Sequence, residues 1–160
     1  MPAATALRTP RTAIVPSRAS SAGTGDPTTA DALAASSERI TRTIKTAAIV
    51  CFTSSGSTAR RISRERPEVP IMVLTPSATT ARRVGLLWGS HAVVTKDIGS
   101  FEEMVAKGKR MALRHKMAGA GDRLIVLAGV PFGTPGSTNV LHVVTLTGQE
   151  LAQAGAQADN

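Results

Sequence analysis

The chain has 160 residues and a mass of 16.5 kDa, room for one ordinary domain of about 100–150 residues, which excludes a multidomain enzyme with separate substrate and cofactor modules. Hydrophobic residues make up 42% and charged residues 19%, a globular balance, while an aromatic fraction of 2% leaves the core to aliphatic side chains. The formal net charge is +8, but Arg8, Arg11 and Arg18 precede the first acidic residue, Asp26, leaving 16 basic against 11 acidic residues in the rest and weakening a nucleic-acid reading.

Residues 1–25 are rich in Ala, Thr, Ser, Pro and Arg and show neither strand nor helix periodicity, so a disordered leader is expected. Their Arg- and Ser-rich, acid-free composition also fits an organelle transit peptide, although no clear amphipathic helix is present. From Asp31 to Thr46, apolar Leu33, Ile40 and Ile44 predict a helix. Ala47–Phe52 is a continuous apolar run of strand length, followed by Thr53-Ser54-Ser55-Gly56 and a basic helix from Ser57 that Pro67 stops. Pro70–Thr75 repeats the strand pattern. A second helix follows from Ser77, with Ala81, Val84 and Trp88 on one face and Gly89 as its stop. His91–Thr95 is the third strand. Ser100–Met117 is the clearest helix, with a capping box at Ser100 and Glu103 and with Phe101, Val105, Gly108 and Ala112 at helical spacing. Leu124–Ala128 and Val140–Leu146 are the last two strands, and the polar segment 148–160 is expected to be a flexible tail.

Apolar strands separated by helices predict an α/β fold, a three-layer αβα arrangement around a mixed, mostly parallel five-stranded sheet within residues 26–147. Only Gly129–Asn139 bridges the final two strands, too little for a parallel crossover, so the last strand is predicted antiparallel. Cys51 is alone, which excludes an internal disulfide framework and a cysteine-rich zinc site. No apolar run reaches the about 20 residues of a membrane span. A cytoplasmic protein without a membrane partner is expected.

Ligands of open parallel sheets bind outside the carboxyl ends of the strands, where Thr53–Thr58, Thr75–Ser77 and Lys96–Gly99 would lie. Thr53, Ser54, Ser55, Gly56, Ser57 and Thr58 join a buried strand to a helix start, so hydroxyls and unpaired amides gather at the positive end of a helix dipole. Two readings stand at this point, a phosphate-sized anion site and a Ser/Thr-rich turn that merely caps a helix. It is not a Walker loop, since no G-x-x-x-x-G-K-[ST] string occurs. Arg60 and Arg61 could add charge to a ligand or form a solvated face.

No catalytic residue is assigned. Ser90 and His91 are neighbours in a strand and face opposite ways, and Glu102 and Glu103 serve the helix dipole rather than general acid–base work. His91, His115 and His142 lack metal-ligand spacing, so no metal site is expected. Lys107, Lys109, Arg110, Arg114 and Lys116 form a basic helix surface without interleaved aromatics, a weak basis for binding nucleic acid.

The string Ala48 through Ala59, with Arg64-Glu65-Arg66-Pro67, Pro70–Pro76, Leu87-Trp88-Gly89 and finally Gly136-Ser137-Thr138-Asn139, resembles the C-terminal domain of pyruvate kinases over about residues 27–147. That resemblance implies an α/β sheet with an antiparallel last strand, a domain that binds phosphorylated effectors and contributes to a tetramer interface. Phosphoryl transfer from phosphoenolpyruvate to ADP belongs in that family to a preceding (β/α)₈ barrel holding the Mg²⁺ and K⁺ ligands, so no cofactor and no catalysis are expected of these residues alone. The family's phosphate-gripping loop matches Thr53–Thr58, and its effector-closing loop corresponds to Phe132, Gly133, Thr134, Pro135, Gly136 and Ser137. Members that bind fructose 1,6-bisphosphate often carry Lys or Arg at the position of Ser57, and no residue stands out for the second phosphate. The expected partners are a phosphorylated sugar or nucleotide effector, and copies of this chain or pyruvate kinase subunits. The competing readings are a stand-alone phosphometabolite-binding module, a small self-sufficient enzyme and a basic interaction protein.

Overall fold

Strand β1 (Ala48–Phe52) is buried along nearly its whole length, which a five-residue apolar run allows only if helices cover both sheet faces. The computed structural model, which describes residues 28–156, meets that requirement. The leader expected over residues 1–25 lies outside the described residues. Strands β2 (Ile71–Thr75), β3 (Ser90–Val94), β4 (Arg123–Gly129) and β5 (Thr138–Thr145) join β1 in one sheet of order β3-β2-β1-β4-β5. β2 and β4 both run parallel to β1, and β3 runs parallel to β2. β5 is antiparallel to β4, as the short connection requires.

Alternation along the strands sorts two cores. Ala48, Val50, Met72, Leu74, Leu124 and Val126 point to one face, where α4 (Phe101–Arg114) covers them with Met104, Ala112 and Leu113. Ile49, Cys51, Ile71, Val73, Ile125 and Leu127 point to the other, beneath α1 (Thr29–Thr43), α2 (Ser57–Glu65) and α3 (Ala78–Val84). Gly108 of α4 lies over Val50 and Val126, where a Cβ would stand 3.6 and 3.8 Å from their methyl groups. The helix therefore sits close on the sheet.

Several elements differ from the sequence expectation. The helix opening at Ala78 ends at Val84, because Leu86 and Leu87 donate to carbonyls only three residues back and the chain then turns through Gly89 at φ +68°. Trp88 therefore lies off the helix face. Its carbonyl accepts from Ser63, and the guanidinium of Arg66 stands 5.3 Å from the centre of its ring. Residues Gly148–Ala156 form a helix, α5, where a flexible tail was expected. Glu150 holds its start by accepting from the Thr147 amide and from Lys109 of α4. His91 is exposed on the edge strand, 3.1 Å from His115.

α1 begins with a capping box, Thr28 and Asp31 each satisfying the other's backbone amide. These Thr28 bonds, followed by the Arg61 guanidinium, hold the Asp31 carboxyl down to about 2. A depressed carboxylate stabilises the fold above its unfolded value of about 4, and the contribution is lost as pH falls toward 2. Asp31→Asn is accordingly expected to lower the melting temperature at pH 7 and to flatten part of the wild-type decline between about pH 4 and pH 2. Equal slopes in the two proteins across that window, followed by circular dichroism, would contradict the assignment.

Candidate functional site

The strand order reverses around β1, since β1→β2→β3 proceeds to one side and the crossover through α4 returns the chain to β4 on the other. Open sheets place ligands outside the carboxyl ends at such a switch point. Here the loops leaving β1 and β4 meet. Together with the segments after β2 and β3 they line a cleft open to solvent. Its walls include Thr53, Ser54 and Thr58 from the first loop, Phe132, Gly133, Thr134, Gly136 and Ser137 from the last, and Lys96 and Asp97 from the segment after β3.

The first loop is shaped by its own hydroxyls. The Gly56 amide donates to Thr53 Oγ1 at 2.9 Å, and the Ser57 amide donates to Ser55 Oγ at 3.3 Å. Gly56 is the N-cap of α2 at φ +85°, with no side chain capping the helix. It faces inward, where an added Cβ would stand 2.7 Å from Val84 Cγ1. Only glycine suits both the left-handed backbone and that approach. The amides of Thr58 and Ala59 donate to no acceptor among the described residues, and this is the arrangement that draws anions to helix N-termini. Thr80 supports the loop from α3, its hydroxyl donating to the Ser54 carbonyl at 2.8 Å.

The two loops are joined at the cleft floor. Thr58 Oγ1 and Thr138 Oγ1 lie 2.6 Å apart, and both residues are buried. The far loop holds its shape by Asn139, whose side chain accepts from the Val130 amide and donates to the Val130 carbonyl, and by Ser137 Oγ donating to the Thr134 carbonyl. Gly133 and Gly136 both have positive φ, and the Val130–Pro131 peptide is cis.

Of the residues expected at the site, Ser55, Gly56, Ser57 and Pro135 do not line the cleft. Ser55 and Ser57 bond to each other, while Gly56 packs against α3. Arg61 does not serve it either, because Nε donates to Asp31 of α1 at 2.9 Å. Lys96 and Asp97, from the segment Lys96–Gly99 at the same sheet edge, form a further wall of the cleft. Lys96 is the only Lys or Arg among the lining residues, and Asp97 the only acid.

The supposed basic surface of α4 is smaller than expected. Lys107 is buried at 6% exposure, and Lys109 pairs with Glu150 at 2.8 Å, leaving Arg110, Arg114 and Lys116 exposed. Burial pushes the Cys51 thiol up to about 12, so it is an inert core residue. Among the described residues no group of three or more His, Cys, Asp or Glu is placed to hold a metal, and no helix is long and apolar enough to cross a membrane.

Comparison with known proteins adds three findings. The family model described as pyruvate kinase, alpha/beta domain, matches residues 31–144. A pyruvate kinase of Methylorubrum extorquens is 40% identical over 129 residues, covering 81% of this chain and 27% of the relative, and one of Agrobacterium vitis is 40% identical over 112 residues, covering 70% and 24%. The crystal structure of a pyruvate kinase from Cryptosporidium parvum superposes with a TM-score of 0.67 at 24% identity, over 75% of this chain and 23% of that one, a likeness of fold. The chain thus spans about a quarter of the length of these relatives.

Proposed function

The chain belongs to the family of pyruvate kinase C-terminal α/β domains, and from that premise we propose that it binds a phosphorylated sugar or nucleotide in the cleft between the β1 and β4 loops, as a regulatory unit. The observation that carries this reading is the convergence of Thr53, Ser54 and Thr58 with the loop Phe132–Ser137 on one cleft, beside helix amides without protein acceptors. A phosphate there accepts from the main-chain amide of Thr58 and from the hydroxyls around it. Charge on the phosphate is met by the α2 dipole rather than by a cluster of cations. The remainder of the ligand lies toward Lys96 and the glycine-rich loop.

Catalysis is not part of the proposal. The cleft is lined mostly by hydroxyls and amides, with Lys96 and Asp97 on one wall, and its proposed role is to bind. Partners are further copies of this chain or pyruvate kinase subunits, and the setting is cytoplasmic. Phosphoryl transfer between phosphoenolpyruvate and ADP is proposed only for an assembly that also supplies the barrel part of the relatives.

A thermal-shift panel tests the reading. Glucose 6-phosphate, fructose 1,6-bisphosphate, AMP and inorganic phosphate are compared with glucose and adenosine. A ligand selective for the native state stabilises it by about 2.7 kcal/mol at a hundredfold excess over Kd. At least one phosphorylated compound is expected to raise the melting temperature by several degrees while its unphosphorylated parent does not. A flat response across all four phosphorylated probes would remove the proposal.

A further inference from the structure

Lysine is almost never fully buried unless its ammonium is paired, and Lys107 is the one charged residue among the described residues to fall in the buried class. It projects from α4 toward the segment that follows β3. Its Nζ donates to the Lys96 carbonyl at 2.8 Å and to the Asp97 carbonyl at 3.1 Å, and pairs with Glu103 Oε1 at 3.2 Å. The second oxygen of Glu103 accepts the Gly99 amide at 2.9 Å. Apart from local bonds within residues 95–98, Lys96 and Asp97 have no other hydrogen bond to the fold among the described residues. One buried ammonium therefore anchors both.

Lys107 does not line the cleft, whereas Lys96, Asp97 and Ile98 do. We infer that Lys107 is a positioning residue for ligand selection: it holds the wall Lys96–Ile98 in the place against which the non-phosphate part of a bound phosphate ester rests. The inference rests on the effector reading above and names the element that separates a sugar phosphate from phosphate alone. Inorganic phosphate needs only the β1 loop and the α2 amides. A sugar phosphate must also meet the opposite wall, and a wall not fixed beforehand has to be ordered on binding. Without the ammonium, the two carbonyls lose their buried partner and turn toward water, carrying the Lys96 and Asp97 side chains with them.

The test uses Lys107→Met, which keeps an unbranched chain of similar length, and Glu103→Gln, which keeps an acceptor for Gly99 but removes the charge beside the ammonium at a half-exposed position. Titration calorimetry on the full chain measures the tightest sugar phosphate of the panel and, by displacement, inorganic phosphate. For Lys107→Met the sugar phosphate affinity is expected to fall about tenfold while that for inorganic phosphate stays within about twofold, with a smaller change in the same direction for Glu103→Gln. A merely structural role would lower both affinities together or neither. A folded Lys107→Met protein with an unchanged ratio of the two affinities overturns the inference; should that variant fail to fold, an unchanged ratio in Glu103→Gln overturns it. Wild-type protein that binds no phosphorylated probe defeats the effector reading itself, a separate outcome.

Discussion

Replacing Ser54 by Asp is expected to weaken binding of a phosphorylated ligand at least about a hundredfold while leaving the fold intact, since two unit charges 4 Å apart at a protein surface repel by about 4 kcal/mol. Ser54 is exposed, lines the cleft, and contributes its carbonyl rather than its hydroxyl to the loop's support. The added carboxylate therefore displaces no bond and adds only charge. Unfolding free energy should stay within about 0.5 kcal/mol of wild type, as for other surface substitutions. Thr58 would be a poor choice for the same purpose, because it is buried and bonded to Thr138, so a glutamate there breaks the floor as well as the site. Calorimetric titration of Ser54→Asp beside Ser54→Ala separates charge from lost contact. Equal affinities in the two variants would show that no anion sits near this loop.

Gly129→Ala is expected to destabilise the protein by about 1–3 kcal/mol, the range for overpacking a close contact, and to weaken ligand binding as well. Gly129 ends β4 where the ladder to β5 shifts register. A Cβ there would stand 2.8 Å from the Ser137 carbonyl oxygen and 2.9 Å from its carbon, closer than real Cβ atoms approach. The obstacle is backbone, so no rotamer relieves it. The cheapest response moves Ser137 and the loop from Phe132 away from Thr58, opening the cleft. Chemical denaturation measures the stability change, and an alanine variant as stable as wild type would mean that the two strands do not pass this closely.

Much of this arrangement is legible in the residues themselves. Ala48–Phe52, Ile71–Leu74 and Leu124–Ala128 are continuous apolar runs, and only a sheet covered on both faces buries such strands. The eleven residues from Gly129 to Asn139 are too few for a parallel return, so the direction of β5 follows from chain length alone. The hydroxyl-rich loop after β1 is visible for a similar reason, since a strand followed at once by small polar residues and a helix leaves free amides.

The remainder depends on contacts between distant residues. Lys107 sits among charged neighbours on a basic helix, and nothing local says that it turns inward; its partners are carbonyls ten and eleven residues earlier, presented by a different element. Arg61 is drawn from the ligand side by Asp31, thirty residues away. The segment after Thr147 reads as a small polar tail until Lys109, on another helix, is found to hold Glu150. Trp88 continues the apolar spacing of α3, yet the chain tightens before reaching it, because the Gly89 carbonyl has to accept from Ile71 at the start of β2. In each case side-chain charge or spacing is read correctly and its partner is missing from the local window.

The most direct measurement is a titration of the ¹⁵N-labelled protein with the tightest sugar phosphate, following individual backbone amides. Saturable shifts at Ser54, Ser55 and Thr58, accompanied by Gly133, Thr134, Gly136 and Ser137 and by Lys96, are the predicted result. Shifts confined to Arg110, Arg114 and Lys116, or none at millimolar ligand, would contradict a phosphate site at the mouth of β1.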